Sequence, residues 1–127
     1  MPTAEIYAGA KFTVKGWVEN DACQVLVFLK ELIVNGDKDG TRLLALIKRT
    51  AEYGVEKNKR KIRALENEIY EFKAHNTGRI LFFYAKGQLI ICSHGFTGKK
   101  GGEKKFIKKQ IEKAVQIKDK YFAETGG

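Results

Sequence analysis

Apolar and polar positions alternate across residues 11–18, with Phe12, Val14 and Val18 on one face and Thr13, Lys15 and Trp17 on the other. A period of two predicts a half-buried strand, and residues 5–8 can lead into it. The period then changes. Ala22, Val25, Leu26, Leu29, Leu32 and Ile33 recur at helical intervals, and Asp21 stands three residues ahead of Gln24, the spacing of a capping box. This helix should stop near Gly36. Leu43, Leu44, Ile47 and Ala51 repeat the pattern, with Lys48, Arg49 and Glu52 on the other side. Asp39 offers a cap for this second helix and Gly54 a stop.

Three short strand-like runs follow: Ile69 to Ala74, Ile80 to Ala85, and Leu89 to Ser93. Asn76-Thr77-Gly78 and Lys86-Gly87 separate them with the turn chemistry of hairpins, which predicts an antiparallel meander. After a Gly- and Lys-rich link over residues 97–102, Ile107, Ile111, Ala114, Ile117 and Tyr121 mark one face of a last helix running from Glu103 to about Phe122. The order strand, helix, helix, three strands, helix predicts a single α+β domain spanning residues 1–127. In it the helices lie on one face of an antiparallel sheet and leave a basic, concave face free.

Charge narrows the function. Lys and Arg number 24 against 15 Asp and Glu, a formal net charge of +9, and 43% of the chain is apolar, so a folded protein with a polyanionic partner is expected. Nucleic acid ranks ahead of membrane. No apolar run approaches the roughly 18 residues a spanning helix needs, and the N-terminus lacks a basic region followed by an apolar stretch. Cys23 and Cys92 show neither metal-ligand nor disulfide spacing. A cytoplasmic protein without metal or organic cofactor is expected. The densest cationic signal is Lys57, Lys59, Arg60, Lys61 and Arg63, five cations in seven residues with no acid among them. This solvated strip is a candidate RNA-binding element.

At the meander the motifs become specific: Ile69-Tyr70-Glu71-Phe72-Lys73, then Arg79 opening the next strand, then His94-Gly95-Phe96-Thr97-Gly98-Lys99-Lys100 ahead of a lysine-rich helix. Together they resemble the phage-derived branch of the RelE/HigB toxin superfamily, over roughly residues 57–123. The resemblance implies a microbial RNase-type fold with two N-terminal helices on one face of the sheet and a C-terminal helix. It also implies metal-independent cleavage of messenger RNA on the translating ribosome, restrained by a cognate antitoxin of helix-turn-helix type. Where some relatives carry a tyrosine near the last helix, the nearest ring here is Phe106.

Cleavage without a metal uses the substrate's own 2'-hydroxyl, so the protein must move protons and stabilise charge on the phosphorane. Lys73, Arg79, Lys99 and Lys100 would converge on the phosphate if the meander brings the start of its middle strand beside the turn after its last. Arg79 and Lys100 are then the candidate phosphate stabilisers, His94 or Lys73 carries the proton, and Lys99 joins the RNA-binding strip. Each role has a plainer rival. Arg79 can pair with Glu71 or Glu68 across the hairpin, His94 can be a structural histidine, His75 can be merely exposed, and the lysine pair can be ordinary surface charge. Tyr84 or Phe96 could stack a base, although core packing explains either ring as well. The competing function is a non-catalytic protein on the same scaffold, either of the gyrase-inhibitor type or a phage RNA-binding protein. The strip yields a prediction of its own: Ala at Lys57, Lys59 and Lys61 together should weaken RNA affinity and flatten its salt dependence, by about 0.7 in log–log slope for each lost contact to a single strand. An unchanged slope in a salt titration would remove the strip from the interface.

Overall fold

The computed structural model describes residues 2–75, 77–98 and 104–126. Its elements are β1 (Thr3–Ala8), β2 (Thr13–Glu19), β3 (Ala22–Cys23), α1 (Gln24–Val34), α2 (Lys38–Tyr53), β4 (Ile62–Ala64), β5 (Tyr70–Lys73), β6 (Gly78–Ala85), β7 (Leu89–Thr97) and α3 (Lys104–Thr125). The fold is α+β, with a seven-stranded sheet in the order β1-β2-β7-β6-β5-β4 and β3 paired on β2. The predicted meander is present as β5, β6 and β7, all antiparallel. The sheet as a whole is mixed, because β2 runs parallel to β7, with Val14 opposite Ile90 and Gly16 opposite Cys92. Helices α1 and α2 connect that parallel half to the meander, the long crossover that a parallel pair requires.

Both faces of the sheet are covered, which corrects the expectation of a free concave face. On one face Val14, Phe72, Ile80, Phe82 and Ile90 meet Val25 and Leu29 of α1 and Leu43 and Ile47 of α2. On the other, Trp17, Leu81, Phe83, Ile91 and Phe96 meet Ile111, Ala114, Ile117 and Tyr121 of α3. Strict alternation along β6 supplies both cores, with even positions toward α1 and α2 and odd positions toward α3. Phe82 and Tyr84 share a face, as the alternation predicts, and Phe83 lies opposite against Tyr121.

A bulge in β7 redirects its second half. Leu81 pairs with His94 but Phe82 pairs with Cys92, so Ser93 is the extra residue. Beyond it, His94 and Phe96 turn toward α3. Gly95 turns toward α1, where an added Cβ would fall 2.1 Å from the Phe28 ring. The glycine is required there because no side chain fits.

Two helix starts differ from expectation. Asn20 and Asp21 have φ of 52° and 61° and form the turn of the β2–β3 hairpin, so Asp21 is not a cap, and α1 begins after Cys23 with no side-chain cap. In α2 the cap is Asp37, whose carboxylate accepts the Asp39 amide at 2.9 Å. Asp39 sits in the first turn, with no solvent exposure, and reaches across to the meander. Its Oδ2 accepts the backbone N–H groups of Thr77 at 3.0 Å and Gly78 at 2.9 Å, and Arg42 approaches Oδ1 at 3.5 Å. The predicted stop of α2 at Gly54 is present, with φ of 94°.

Asp39→Ala removes the acceptor of two backbone donors and should destabilise the fold by about 2–4 kcal/mol, read as a lower urea midpoint at unchanged slope. Arg42→Ala, at a partner about half exposed, should shift the midpoint far less. Equal shifts in the two variants would contradict this role for Asp39.

Candidate nucleic-acid interface

Because odd positions of β6 face α3, Arg79 projects from the α3 face at the β5–β6 turn. Its register partners are Lys73 on β5 and Phe96 on β7. One rung further, Glu71 pairs with Arg63 of β4 and with Leu81, which in turn pairs with His94. Arg63 and Arg79 thus flank a single carboxylate, with Lys73 the register partner of Arg79. Glu71 is fully buried, and its Oε1 lies 3.3 Å from Arg63 Nη2 and 3.7 Å from Arg79 Nε. The pairing of Arg79 with Glu71, weighed from sequence, is present, whereas Glu68 lies in a turn outside β5, with φ of 61°.

Burying a carboxylate is unfavourable unless cations and donors surround it. Here it holds two guanidinium groups side by side that would otherwise repel. Two cations face one anion, and the excess is positive. Glu71 Oε2 has no hydrogen-bond partner among the described residues. The Arg79 Nη1 also donates to the Gly78 carbonyl at 3.2 Å, so the guanidinium is oriented from both sides.

The segment carrying Lys99 and Lys100 lies outside the described residues. Its last described neighbour is placed, however: the Gly98 amide donates to the Thr77 carbonyl at 2.7 Å, and a Cβ on Gly98 would lie 3.9 Å from Arg79 Nη2. The chain therefore leaves β7 beside Arg79. Asp39 holds Thr77, Thr77 holds Gly98, and one buried carboxylate in α2 thereby sets this end of the sheet.

His94 is placed differently. It is 4% exposed, with Nδ1 3.0 Å from Ser93 Oγ and Nε2 2.8 Å from Gln110 Oε1 on α3. Burial lowers its pKa to about 4, against the opposing pull of the Gln110 hydrogen bond, with Lys113 adding to the lowering. At neutral pH it is an uncharged imidazole with both nitrogens engaged. Phe96, on the Arg79 rung, packs on Phe106 with ring centroids 5.7 Å apart and belongs to the core. Tyr84 is half-buried beside Phe12 and Tyr70.

Of the basic strip, Arg63 belongs to the Glu71 cluster, while Lys57, Lys59, Arg60 and Lys61 are exposed in the loop before β4. His75 is exposed, as expected. Arg60 and Lys61 line a groove of about 600 Å³ together with Arg42 and Arg49 of α2, and Lys73 and His75 from the end of β5. Sequence reasoning missed Arg42, Arg49 and Asp39. The signal available for the two arginines was their seven-residue spacing, which puts them on one helix face. Among the described residues no three His, Cys, Asp or Glu side chains gather, and no helix is long and apolar enough to cross a membrane. Burial pushes the Cys92 thiol up, and both cysteines are free.

The protein is thus a small α+β protein whose sheet is enclosed by helices and carries a cation cluster at one end. A family model matches residues 29–119, and the chain belongs to the family of phage-derived Gp49-like proteins (DUF891). The match runs from the middle of α1 into the second half of α3 and takes in Arg63, Glu71, Lys73, Arg79 and His94. No curated protein matched the chain.

The histidine carries a testable sign. Its folded pKa lies below the ordinary value of 6.5, so the unfolded chain binds the proton more readily, and the stability it contributes is present above pH 6.5 and lost as pH falls toward 4. A shift of this size corresponds to roughly 3 kcal/mol over that window. Urea unfolding between pH 7 and 4 should show the loss, and His94→Gln should flatten it. An imidazole titrating near 6.5 by NMR would contradict the placement.

Proposed function

We propose that the protein is the toxin of a type II toxin–antitoxin pair, of the RelE/HigB kind, a metal-independent endoribonuclease that cleaves messenger RNA on the translating ribosome in the cytoplasm. The observation that carries this reading is the pairing of Arg63 and Arg79 with buried Glu71, with Lys73 beside Arg79 in register and Gly98 next to the Arg79 guanidinium. Membership of a phage-derived family agrees with it. A helix-turn-helix antitoxin would restrain the activity by covering the cations.

In this reading the scissile phosphate lies against Arg79, and Lys100, outside the described residues, is the second proposed phosphate stabiliser. The 2'-oxygen attacks phosphorus as its proton departs, the negative phosphorane is stabilised by the two cations, and the 5'-oxygen leaves protonated. The products are a 2',3'-cyclic phosphate and a 5'-hydroxyl. Of the two candidates for proton transfer, Lys73 is next to Arg79 in register, whereas His94 is buried and holds α3 to the sheet through Gln110. Lys73 therefore takes that role. Glu71 is a positioning residue that keeps Arg79 from turning outward.

The engagement of His94 also favours a second reading, a non-catalytic protein of the gyrase-inhibitor type. It leaves the Arg79 cluster with no described group whose ordinary pKa is near neutral. Mapping transcript 5'-ends after induced expression separates the two, since cuts within translated frames support the nuclease and intact transcripts support the binder.

Loss of one charge-stabilising donor lowers the rate about a hundredfold to a thousandfold. Arg79→Ala and Lys100→Ala should do so with far smaller effects on RNA affinity, because the interaction is strongest in the transition state. Activity should persist in chelator and yield cyclic phosphate ends. A folded Arg79→Ala protein cleaving at the parental rate would show that the centre lies elsewhere, and 3'-hydroxyl ends would point to metal-activated water.

A further inference from the structure

The groove on the α2 side of the β4–β5 edge is distinct from the Glu71–Arg79 pair on the α3 face, and five of its ten described lining residues are Lys or Arg. Arg42 and Arg49 project from one face of α2 two turns apart, about 10 Å along the helix at 1.5 Å per residue. Arg60 and Lys61 join them from the loop before β4, and Lys73 from the end of β5. No carboxylate lines the groove among the described residues. Arg42 is drawn toward Asp39 and Lys61 toward Glu56, at 3.5 and 3.7 Å, whereas Arg49 and Arg60 have no ion pair among the described residues. Such an assembly of like charges is unfavourable for the isolated protein and is relieved by a bound polyanion.

We propose that this groove is a second RNA site, which holds the phosphodiester backbone of the strand flanking the scissile phosphate. The proposal rests on the RNA-cleaving reading above and extends it. Continuity supports it, because Lys73 lines the groove and is also the register partner of Arg79, so one strand can pass from the groove to the reaction centre round the end of β5. The floor supports it too. Only Ala45, Leu46 and Ala74 are apolar, and Leu46 and Ala74 are already buried, which leaves no pocket for the large apolar anchors by which an amphipathic protein segment docks. Guanidinium groups at helical spacing instead suit successive phosphates, bound mainly by charge.

The test uses Arg49→Glu with Arg60→Glu, both exposed and outside the catalytic cluster. A control protein carries Lys30→Glu with Lys120→Glu, exposed cations outside the groove whose reversal changes net charge equally. Fluorescence anisotropy with a labelled 2'-O-methyl oligonucleotide of about 12 nucleotides, which binds without being cleaved, is followed against salt. The groove variant should bind at least about tenfold more weakly, with a log–log salt slope flatter by about 1.4, two contacts at roughly 0.7 each. The control should change less than about threefold. Arg49→Glu alone should give about half the slope change, which guards against a double variant that folds poorly. A parental protein that binds RNA while groove variant and control behave alike overturns the groove and leaves the nuclease reading standing. A parental protein that does not bind RNA at all overturns both. Unchanged RNA affinity with loss of binding to polyglutamate overturns the proposal and assigns the groove to an acidic protein segment.

Discussion

The central strand pair β6–β7 must be buried on both faces at once, and the remaining architecture follows from that constraint. Ile80, Phe82 and Ile90 need one cover and Leu81, Phe83 and Ile91 another. One amphipathic helix cannot shield two faces of a sheet, so α1 and α2 close one side and α3 the other. The covers are inserted at different points of the chain, before the meander and after it. The end of the sheet where β5 turns into β6 and β7 departs for α3 is consequently where all three layers meet, and it is also where the cations collect.

Two buried carboxylates organise that end. Asp39 reaches from the first turn of α2 to two backbone amides of the β5–β6 turn, and the Thr77 carbonyl beside them takes the Gly98 amide. Glu71 draws Arg63 and Arg79 together on the opposite face. Neither carboxylate is a reacting group in the proposed cleavage. Each does what a buried anion can do in a medium that solvates it poorly, which is to fix the position of whatever donors surround it. A guanidinium anchored this way has little freedom left to lose when a phosphate arrives, and that preorganisation is where a metal-free site would draw its strength.

The bulge at Ser93 links this site to the core. Were β7 regular, with Ser93 opposite Leu81, His94 would face α1 and Gly95 would face α3. With it, His94 joins Gln110 on α3, and Gly95 meets Phe28 where only a hydrogen fits. The family-like turn sequence His-Gly-Phe is therefore in large part a packing motif. Its histidine bonds a helix, its glycine admits a ring from the other side, and its phenylalanine packs on Phe106.

Much of the fold is legible in the sequence because it is local. Period-two and helical runs place the β2 strand, the two N-terminal helices, the meander and the last helix, and Gly54 marks the stop of α2, since hydrophobic period and left-handed glycine conformations depend on near neighbours in the chain. The cation excess likewise points to a polyanion without any fold. The tertiary structure alone decided the rest. Asp39 reads as a cap because a cap is the local use of an aspartate near a helix start; its actual partners, Thr77 and Gly78, are 38 and 39 residues away. The face covered by α3, the parallel pairing of β2 with β7, the flip at Ser93 and the meeting of Arg42 and Arg49 with the loop before β4 depend equally on which distant segments share a surface. Periodicity states which side of an element is apolar, but it carries no information about what will cover that side, because that choice is made by the packing of the whole chain.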